Sequence, residues 1–155
     1  MDTSTHHTAL PAQRLNFFAL GPDTMRAMGV LDQRIANSDL EKSLVELIRI
    51  RVSQINGCAY CVDRHTADAR RAGEDQRRLT TLSVWRDTPF FTARERAALA
   101  WAEALTRIAD AHVTDELWEL VEGEFVPSQL IDLTLAINAV NDWNRFGIAF
   151  RKLPS

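Results

Sequence analysis

Hydrophobic residues recur at helical spacing along most of the chain, whereas the alternation typical of strands never persists. The helical pattern starts near Gly21 and continues to the end of the chain. Its last segment, from Pro127 to about Phe150, is apolar on almost every side. A helix of this kind needs partners on several faces, which in a small domain indicates contact with another subunit. The pattern predicts an all-α helical bundle that forms a homo-oligomer through its helices.

Boundary signals divide the pattern into separate helices. Pro22 suits the first turn of a helix, and Ser38 and Glu41 have the spacing of a capping box before a second helix that ends near Ile55. The dipeptide Asn56-Gly57 should end that helix. The other segments predicted to be helical are Cys58 to Gly73, a shorter polar stretch from Glu74 to Leu82, Thr92 to about Ala109, a short helix from Thr114, and the last helix from Pro127.

Composition narrows the possible functions. A chain of 155 residues with 46% hydrophobic residues is typical of one compact domain, so residues 1–155 are predicted to form a single domain with a flexible segment over 1–10. A net charge of −3 gives no basic surface for nucleic acid or an anionic membrane. No apolar run approaches a bilayer span, and the N-terminus has no secretory signal pattern. We therefore expect a cytoplasmic protein.

The two cysteines, Cys58 and Cys61, stand three residues apart at a predicted helix start. Thiols at this spacing reach each other across one turn and can form a disulfide, which stores two electrons. The free N–H groups and the dipole of a helix N-terminus favour a thiolate. His65 follows Cys61 by one turn, where its imidazole could accept the thiol proton. These three residues predict thiol chemistry.

Two simpler interpretations compete with this one. Both cysteines could be small buried side chains, since free cysteine is often buried. Cys58, Cys61 and His65 could also hold a structural zinc ion, which would need a fourth ligand. The remaining histidines lie in the N-terminal tail, His6 and His7, and in a distant loop, His112, without a second pair of ligands nearby. We predict no metal at this motif.

The helix before the motif contains two charged residues of interest. Glu46 lies about 200° round the helix from the apolar residue Leu44, so periodicity alone predicts an exposed side chain that pairs with Arg49. A role beside His65 would require another helix or subunit to cover that side. Arg51 falls within the apolar stripe and should therefore have a buried acceptor.

Polar residues also recur along the last helix. Asn138, Asn141 and Asn144 follow at three-residue steps, and buried amides of this kind usually satisfy the backbone or a neighbouring helix. Arg145 could pair with an acidic residue across a subunit interface. The four tryptophans are predicted to lie in the core or at an interface rather than around a cofactor.

One spaced pattern joins Glu46 to the cysteine motif. Eleven residues separate Glu46 from Cys58, two separate Cys58 from Cys61, and three separate Cys61 from His65. In its residues and spacing the pattern resembles the core of the alkylhydroperoxidase D and carboxymuconolactone decarboxylase superfamily. The segment Asn141 to Arg145 also resembles the last helix of short single-domain members. The chain is therefore identified from its motif as a member of this superfamily.

The resemblance implies a mechanism and an assembly. Cys61 would attack a hydroperoxide, and Cys58 would resolve the sulfenic acid into a disulfide that an external dithiol donor reduces. His65 would deprotonate Cys61 while Glu46 polarises His65. A sulfenic acid beside a thiol condenses readily, which agrees with this sequence of steps. The resemblance also implies a trimer or hexamer and a reaction without a bound cofactor.

One residue departs from the family pattern. In the best-studied branch a histidine before the second cysteine extends the proton relay, whereas this chain has Tyr60, a poor base at neutral pH. Tyr60, Asn141 and Arg145 are thus candidates for supporting roles only. Two other functions stay open: an acid–base enzyme of the decarboxylase type, although members that only decarboxylate lack the intact cysteine pair, and a redox sensor or oligomeric scaffold without enzymatic activity.

Overall fold

The computed structural model describes residues 11–154, so the predicted flexible segment over 1–10 lies outside the described residues. Within 11–154 the protein contains eight α-helices, one 3-10 segment and no strand, which confirms the prediction of an all-helical fold. The helices are α1 (Phe17–Leu20), α2 (Pro22–Ala36), α3 (Lys42–Asn56), α4 (Ala59–Arg71), α5 (Gln76–Thr81), α6 (Ala93–Thr106), α7 (Asp115–Glu122) and α8 (Pro127–Ala149), with the 3-10 segment at Leu82–Asp87.

Several helix boundaries follow from the signals in the sequence. Pro22 occupies the first turn of α2, where its missing N–H costs no hydrogen bond. Gly57 ends α3 with φ of 72°, in the left-handed region that suits glycine. Thr92, where the sequence predicts a helix start, forms a capping box with Glu95, in which each side chain accepts from the other residue's backbone N–H. These signals act within a few residues, which makes them visible in the sequence.

Two predictions about local structure were wrong, and one helix was not predicted. Ser38 and Glu41 form no capping box, because the Ser38 hydroxyl donates to the carbonyl of Ile35 and closes the end of α2 instead. The helix predicted to run to about Ala109 ends at Thr106, so Ile108 lies outside α6 and is exposed. The short helix α1 was not foreseen; the side chain of Asn16 caps it by accepting from the N–H of Ala19.

Helix α3 lies at the centre of the fold and contacts α4, α6 and α8. Its side chains Leu47, Ile48, Ile50 and Val52 are all 1% exposed or less. Because neighbours cover α3 on several sides, its buried surface extends well beyond one apolar stripe. The start of α4, which holds the cysteine motif, is therefore attached to the most deeply buried element.

Arg51 of α3 has the buried acceptor that its position requires. Its Nε donates to Oε1 of Glu103 on α6 at 2.8 Å, and Nε1 of Trp85 donates to the same oxygen at 2.9 Å. The guanidinium of Arg86 binds the other oxygen. Burial raises the pKa of Glu103, but the hydrogen bonds from Trp85, Arg86 and Arg51 outweigh burial and hold the pKa below its ordinary value. The carboxylate thus stays charged and paired.

Buried amides join the end of α3 to α8. The Asn56 amide donates to the side-chain oxygens of Asn141 and Asn144, each at 2.9 Å, and Asn144 in turn donates to the Ser53 hydroxyl at 2.9 Å. This agrees with the expectation that such amides satisfy neighbouring helices, except for Asn138, which is exposed. The network fixes the backbone immediately before the cysteine motif.

The predicted all-round burial of α8 is incomplete within one subunit. Ile131 is 71% exposed and Ile148 is 45% exposed. Assembly through this helix stays a prediction. Among the described helices, none combines the length and the hydropathy needed to cross a membrane.

Candidate active site

The two cysteines are joined at the start of α4. Cys58 is the N-cap residue, and its Sγ accepts a hydrogen bond from the N–H of Cys61 at 3.3 Å. A disulfide links the two residues, whose Cα atoms are 5.3 Å apart. Both side chains are buried, with 2% of Cys58 and 4% of Cys61 exposed. The predicted disulfide is thus present, and the helix N-terminus provides an N–H group that would stabilise a thiolate at Cys58.

Helix α8 packs directly on the disulfide through Gly147. A Cβ atom added at Gly147 would lie 2.9 Å from the Cys58 sulfur and 3.5 Å from the Cys61 sulfur. The first distance is shorter than van der Waals contact allows, so only glycine lets α8 approach this closely. The sequence gives no reason to expect a glycine at position 147. The need for it comes from the contact between α8 and the start of α4, which only the packing of the two helices creates.

The two cysteines face different spaces. Cys61 lines a cavity of about 390 Å³ that also contains His65, Tyr60 and Trp143. Cys58 instead lines an open groove between the end of α3 and another side of α4, where Gln54 and Thr66 also lie. Cys61 is therefore the cysteine that lines the same cavity as the imidazole of His65.

His65 is bound to Glu46 of α3. Its Nδ1 lies 3.0 Å from Oε2 of Glu46. A carboxylate only accepts hydrogen bonds, so Nδ1 carries the proton and, in neutral His65, Nε2 is the basic nitrogen. Periodicity predicted an exposed Glu46, which was wrong: α4 packs along that side of α3 and leaves the side chain 17% exposed. The structure thus brings together Glu46 and His65, as the family pattern implied.

Arg49 holds Glu46 in place and is itself held by Asp32, to which Trp143 also binds. Arg49 donates to Oε1 of Glu46 at 2.7 Å and to Asp32 of α2 at 3.2 Å, and Trp143 of α8 donates to the same Asp32 at 2.9 Å. Burial raises the pKa of Glu46, but the hydrogen bond and charge of His65, then those of Arg49, outweigh burial and lower it below the ordinary value. Glu46 is therefore an anion at neutral pH.

Both aromatic and charged residues line the cavity. The aromatic residues are Phe17 and Phe18 of α1 and Trp143 of α8, and the charged residues include Asp32 and Arg49. None of these five residues was predicted at the site from the sequence. The sequence predicts Trp143 in the core or at an interface. Helix α1 does have boundary signals, the capping Asn16 and the following Gly21, but they enclose only four residues. The other residues come from helices far apart in the chain.

The proposed supporting residues differ in position. Tyr60 lines the cavity, where its hydroxyl accepts from Arg64 at 3.3 Å and Lys152 lies 4.7 Å above its ring. Asn141 is buried in the amide network and does not line the cavity. Arg145 is exposed and lies 3.5 Å from Asp142 of its own helix, so the structure does not bring it to the motif.

One group among residues 11–154 could approach a metal ion: a ligand atom from each of Glu46, His65 and Asp68, all within 4.8 Å of one another. Each carboxylate already binds an arginine, since Arg49 pairs with Glu46 and Arg71 with Asp68. The two cysteines are joined to each other and do not belong to this group. The arrangement fits an ion-paired imidazole better than a cation site.

Comparison with known proteins adds the family. Residues 22–104 match the model of the carboxymuconolactone decarboxylase family. The chain belongs to this family. The matched region includes the whole pattern from Glu46 to His65, which confirms the assignment made from the motif.

Relatives of this family member include an uncharacterized protein, YdfG, from Bacillus subtilis (strain 168), with 40% identity over 89% of this chain and 94% of that protein. The crystal structure of ATU0492 from Agrobacterium tumefaciens, a protein of unknown function suggested to be an antioxidant defence protein AhpD, has a TM-score of 0.90 and 35% identity over 93% of this chain and 99% of that one. An alkyl hydroperoxide reductase AhpD from Maricaulis maris (strain MCS10) is 42% identical over 50 residues, 32% of this chain but only 26% of that protein.

Proposed function

We propose that the protein is a thiol-dependent peroxidase that reduces hydroperoxides through the Cys58–Cys61 disulfide. The observation that supports this most directly is that Cys61 and the Glu46-bound His65 line one cavity. A reactive thiol needs a base within reach and an opening for its substrate. The similarity to AhpD proteins favours peroxide over other oxidants of a dithiol.

In the first step, Nε2 of His65 takes the proton of the Cys61 thiol, directly or through a water molecule. The thiolate attacks one oxygen of the hydroperoxide, forming an S–O bond while the O–O bond breaks. The leaving alkoxide takes a proton from the imidazolium and departs as an alcohol. Glu46 stabilises the imidazolium that exists between these two proton transfers.

In the second step, the Cys58 thiol loses its proton and the thiolate attacks the sulfur of the Cys61 sulfenic acid. The S–S bond forms as the S–O bond breaks, and the leaving hydroxide takes up a proton and departs as water. The N–H of Cys61, which binds the Cys58 sulfur, supports this thiolate. An external dithiol donor then reduces the disulfide and is itself oxidised to a disulfide. No bound cofactor takes part in this cycle, which we assign to a cytoplasmic homo-oligomer, a trimer or hexamer.

A second candidate is an acid–base enzyme of the decarboxylase type. The same Glu46-bound His65 lines the cavity, and Arg49 and Arg64, which also line it, could bind a substrate carboxylate. Such an enzyme would keep its activity when both cysteines are replaced by serine. A third possibility, a redox sensor or scaffold, would change its assembly state on oxidation.

The deciding experiment measures the loss of free thiols in pre-reduced protein under limiting hydrogen peroxide and cumene hydroperoxide. Wild type should lose both thiols rapidly, Cys61→Ser should not react, and His65→Ala should react about 100-fold more slowly. Cys58→Ser serves as the matched control, because its Cys61 should still form a sulfenic acid that dimedone traps. Thiols that react no faster than free cysteine would overturn the proposal.

A further inference from the structure

Helix α2 presents one row of residues to the cavity in front of Cys61. Met25, Gly29, Asp32 and Ala36 all line this cavity, and their spacing of four, three and four residues places them on one face of the helix. A side chain at any of these positions extends toward the cavity.

Gly29 interrupts this row. It lies inside α2, where glycine costs about 1 kcal/mol relative to alanine, and its backbone conformation is helical. A Cβ atom built on Gly29 meets no atom within 4 Å, so no packing contact accounts for the glycine. Gly29 is exposed and lines the same cavity as Phe17, Phe18 and Trp143, so its absent side chain leaves the α2 side of this cavity open.

We propose that this space holds the apolar body of the substrate, a group of about the size of an aromatic ring, and that Gly29 sets the upper limit on its size. The proposal deepens the proposed function, since it takes Cys61 as the reacting thiol. A ring seated against Phe18 and Trp143 would place its reactive group toward Cys61 and His65, because all of these residues line the same cavity. Larger side chains at position 29 would exclude bulky substrates and still admit small ones.

The test measures access to Cys61 with reagents of two sizes. In a reduced Cys58→Ser background, Cys61 is the remaining thiol and is alkylated with iodoacetamide or with N-benzyl iodoacetamide. In Gly29→Leu the rate with the benzyl reagent should fall about tenfold or more relative to iodoacetamide, the discrimination expected when a pocket loses room for a few methylene groups. Gly29→Met provides a second variant of similar volume.

Ala27→Leu is the matched control, because Ala27 is exposed like Gly29 but does not line the cavity and lies about 200° round α2 from Gly29. Its ratio of the two rates should equal that of the parent. An unchanged ratio in both Gly29 variants would overturn the proposal, as would an equal slowing of both reagents.

The same variants with both cysteines present should lose reactivity toward cumene hydroperoxide and keep it toward hydrogen peroxide. If the parent reacts with neither peroxide, the proposed peroxidase function fails, while the alkylation ratio still decides the role of Gly29.

Discussion

Nδ1 of His65 lies 3.0 Å from Oε2 of Glu46, which precedes it by nineteen residues. The bond orients the imidazole and leaves Nε2 as its basic nitrogen. Helical periodicity does not predict this pairing, because it places Glu46 on the side of α3 opposite the apolar residue Leu44. Packing of α4 against α3 turns a position that periodicity predicts to be exposed into a largely buried hydrogen-bond partner of His65.

Replacing Glu46 by glutamine should slow the peroxide reaction of Cys61 about tenfold, because loss of a partner that orients a functional histidine typically costs about 10- to 100-fold. The variant keeps a hydrogen-bond acceptor for Nδ1 but loses the negative charge that favours the imidazolium. Stopped-flow measurement of thiol loss across a pH series checks this. Glu41→Gln, an exposed glutamate that binds Arg94 away from the cavity, should react like wild type. Equal rates for the two variants would contradict the assigned role of Glu46.

Acid should destabilise the protein through Glu46, Glu95 and Glu103. In each, burial raises the pKa but hydrogen bonds and nearby positive charges outweigh it, so the pKa is lower in the folded than in the unfolded state. The unfolded chain therefore binds protons first as the pH falls. The stabilisation is present above the unfolded pKa of about 4.3 and is lost as the pH drops through the folded values.

Urea unfolding at a series of pH values from neutral to acid measures this loss. Glu46→Gln should show a smaller decrease in the free energy of unfolding on acidification than wild type. An identical pH dependence for the two proteins would show that Glu46 has the same pKa in both states.

Adding one methyl group at Gly147 should make the disulfide easier to reduce. The new Cβ would lie 2.9 Å from the Cys58 sulfur, which is held in place by its bond to Cys61 in the oxidised form. In the dithiol the Cys58 side chain is free to rotate to another staggered position. Because overpacking typically costs about 1–3 kcal/mol, we expect a shift of about tenfold toward the dithiol in Gly147→Ala.

Equilibration with reduced and oxidised dithiothreitol, followed by alkylation and mass spectrometry, measures the shift. Gly29→Ala is a suitable control, since it also adds a methyl group to a helix glycine but contacts no atom within 4 Å. Two results would refute the explanation that glycine is needed at position 147 to leave room for the Cys58 sulfur. One is a dithiol–disulfide equilibrium of Gly147→Ala that matches that of the control, and the other is an equilibrium shifted toward the disulfide.

Glu103 should be important for stability rather than for chemistry. Glu103→Ala would leave the buried Arg51 guanidinium and the Trp85 indole without their acceptor, and breaking a buried ion pair in this way costs about 3–5 kcal/mol. Asp142→Ala removes the exposed partner of Arg145 and should change the free energy of unfolding by less than about 0.5 kcal/mol. Chemical denaturation of both variants distinguishes these cases. A small effect at Glu103 would mean that water reaches Arg51 and replaces the carboxylate.

The sequence by itself determined the helical fold class, most helix boundaries, and the placement of Cys58, Cys61 and His65 within the first turns of one helix. These features depend on interactions between residues a few positions apart, such as the capping box of α6 and the left-handed Gly57 after α3. It also predicted that Arg51 needs a buried acceptor, because a charge in an apolar stripe must be paired.

Only the tertiary structure decided which side chains meet at the cavity. Trp143 reaches Asp32 across 111 residues, and Gly147 approaches the sulfurs from a helix far from α4 in the chain. Such contacts depend on how α1, α2, α3 and α8 pack together, and helical periodicity specifies the apolar face of each helix without specifying its neighbour. Glu46 is less exposed than helical periodicity predicts for the same reason, because α4 covers the side of α3 on which it lies.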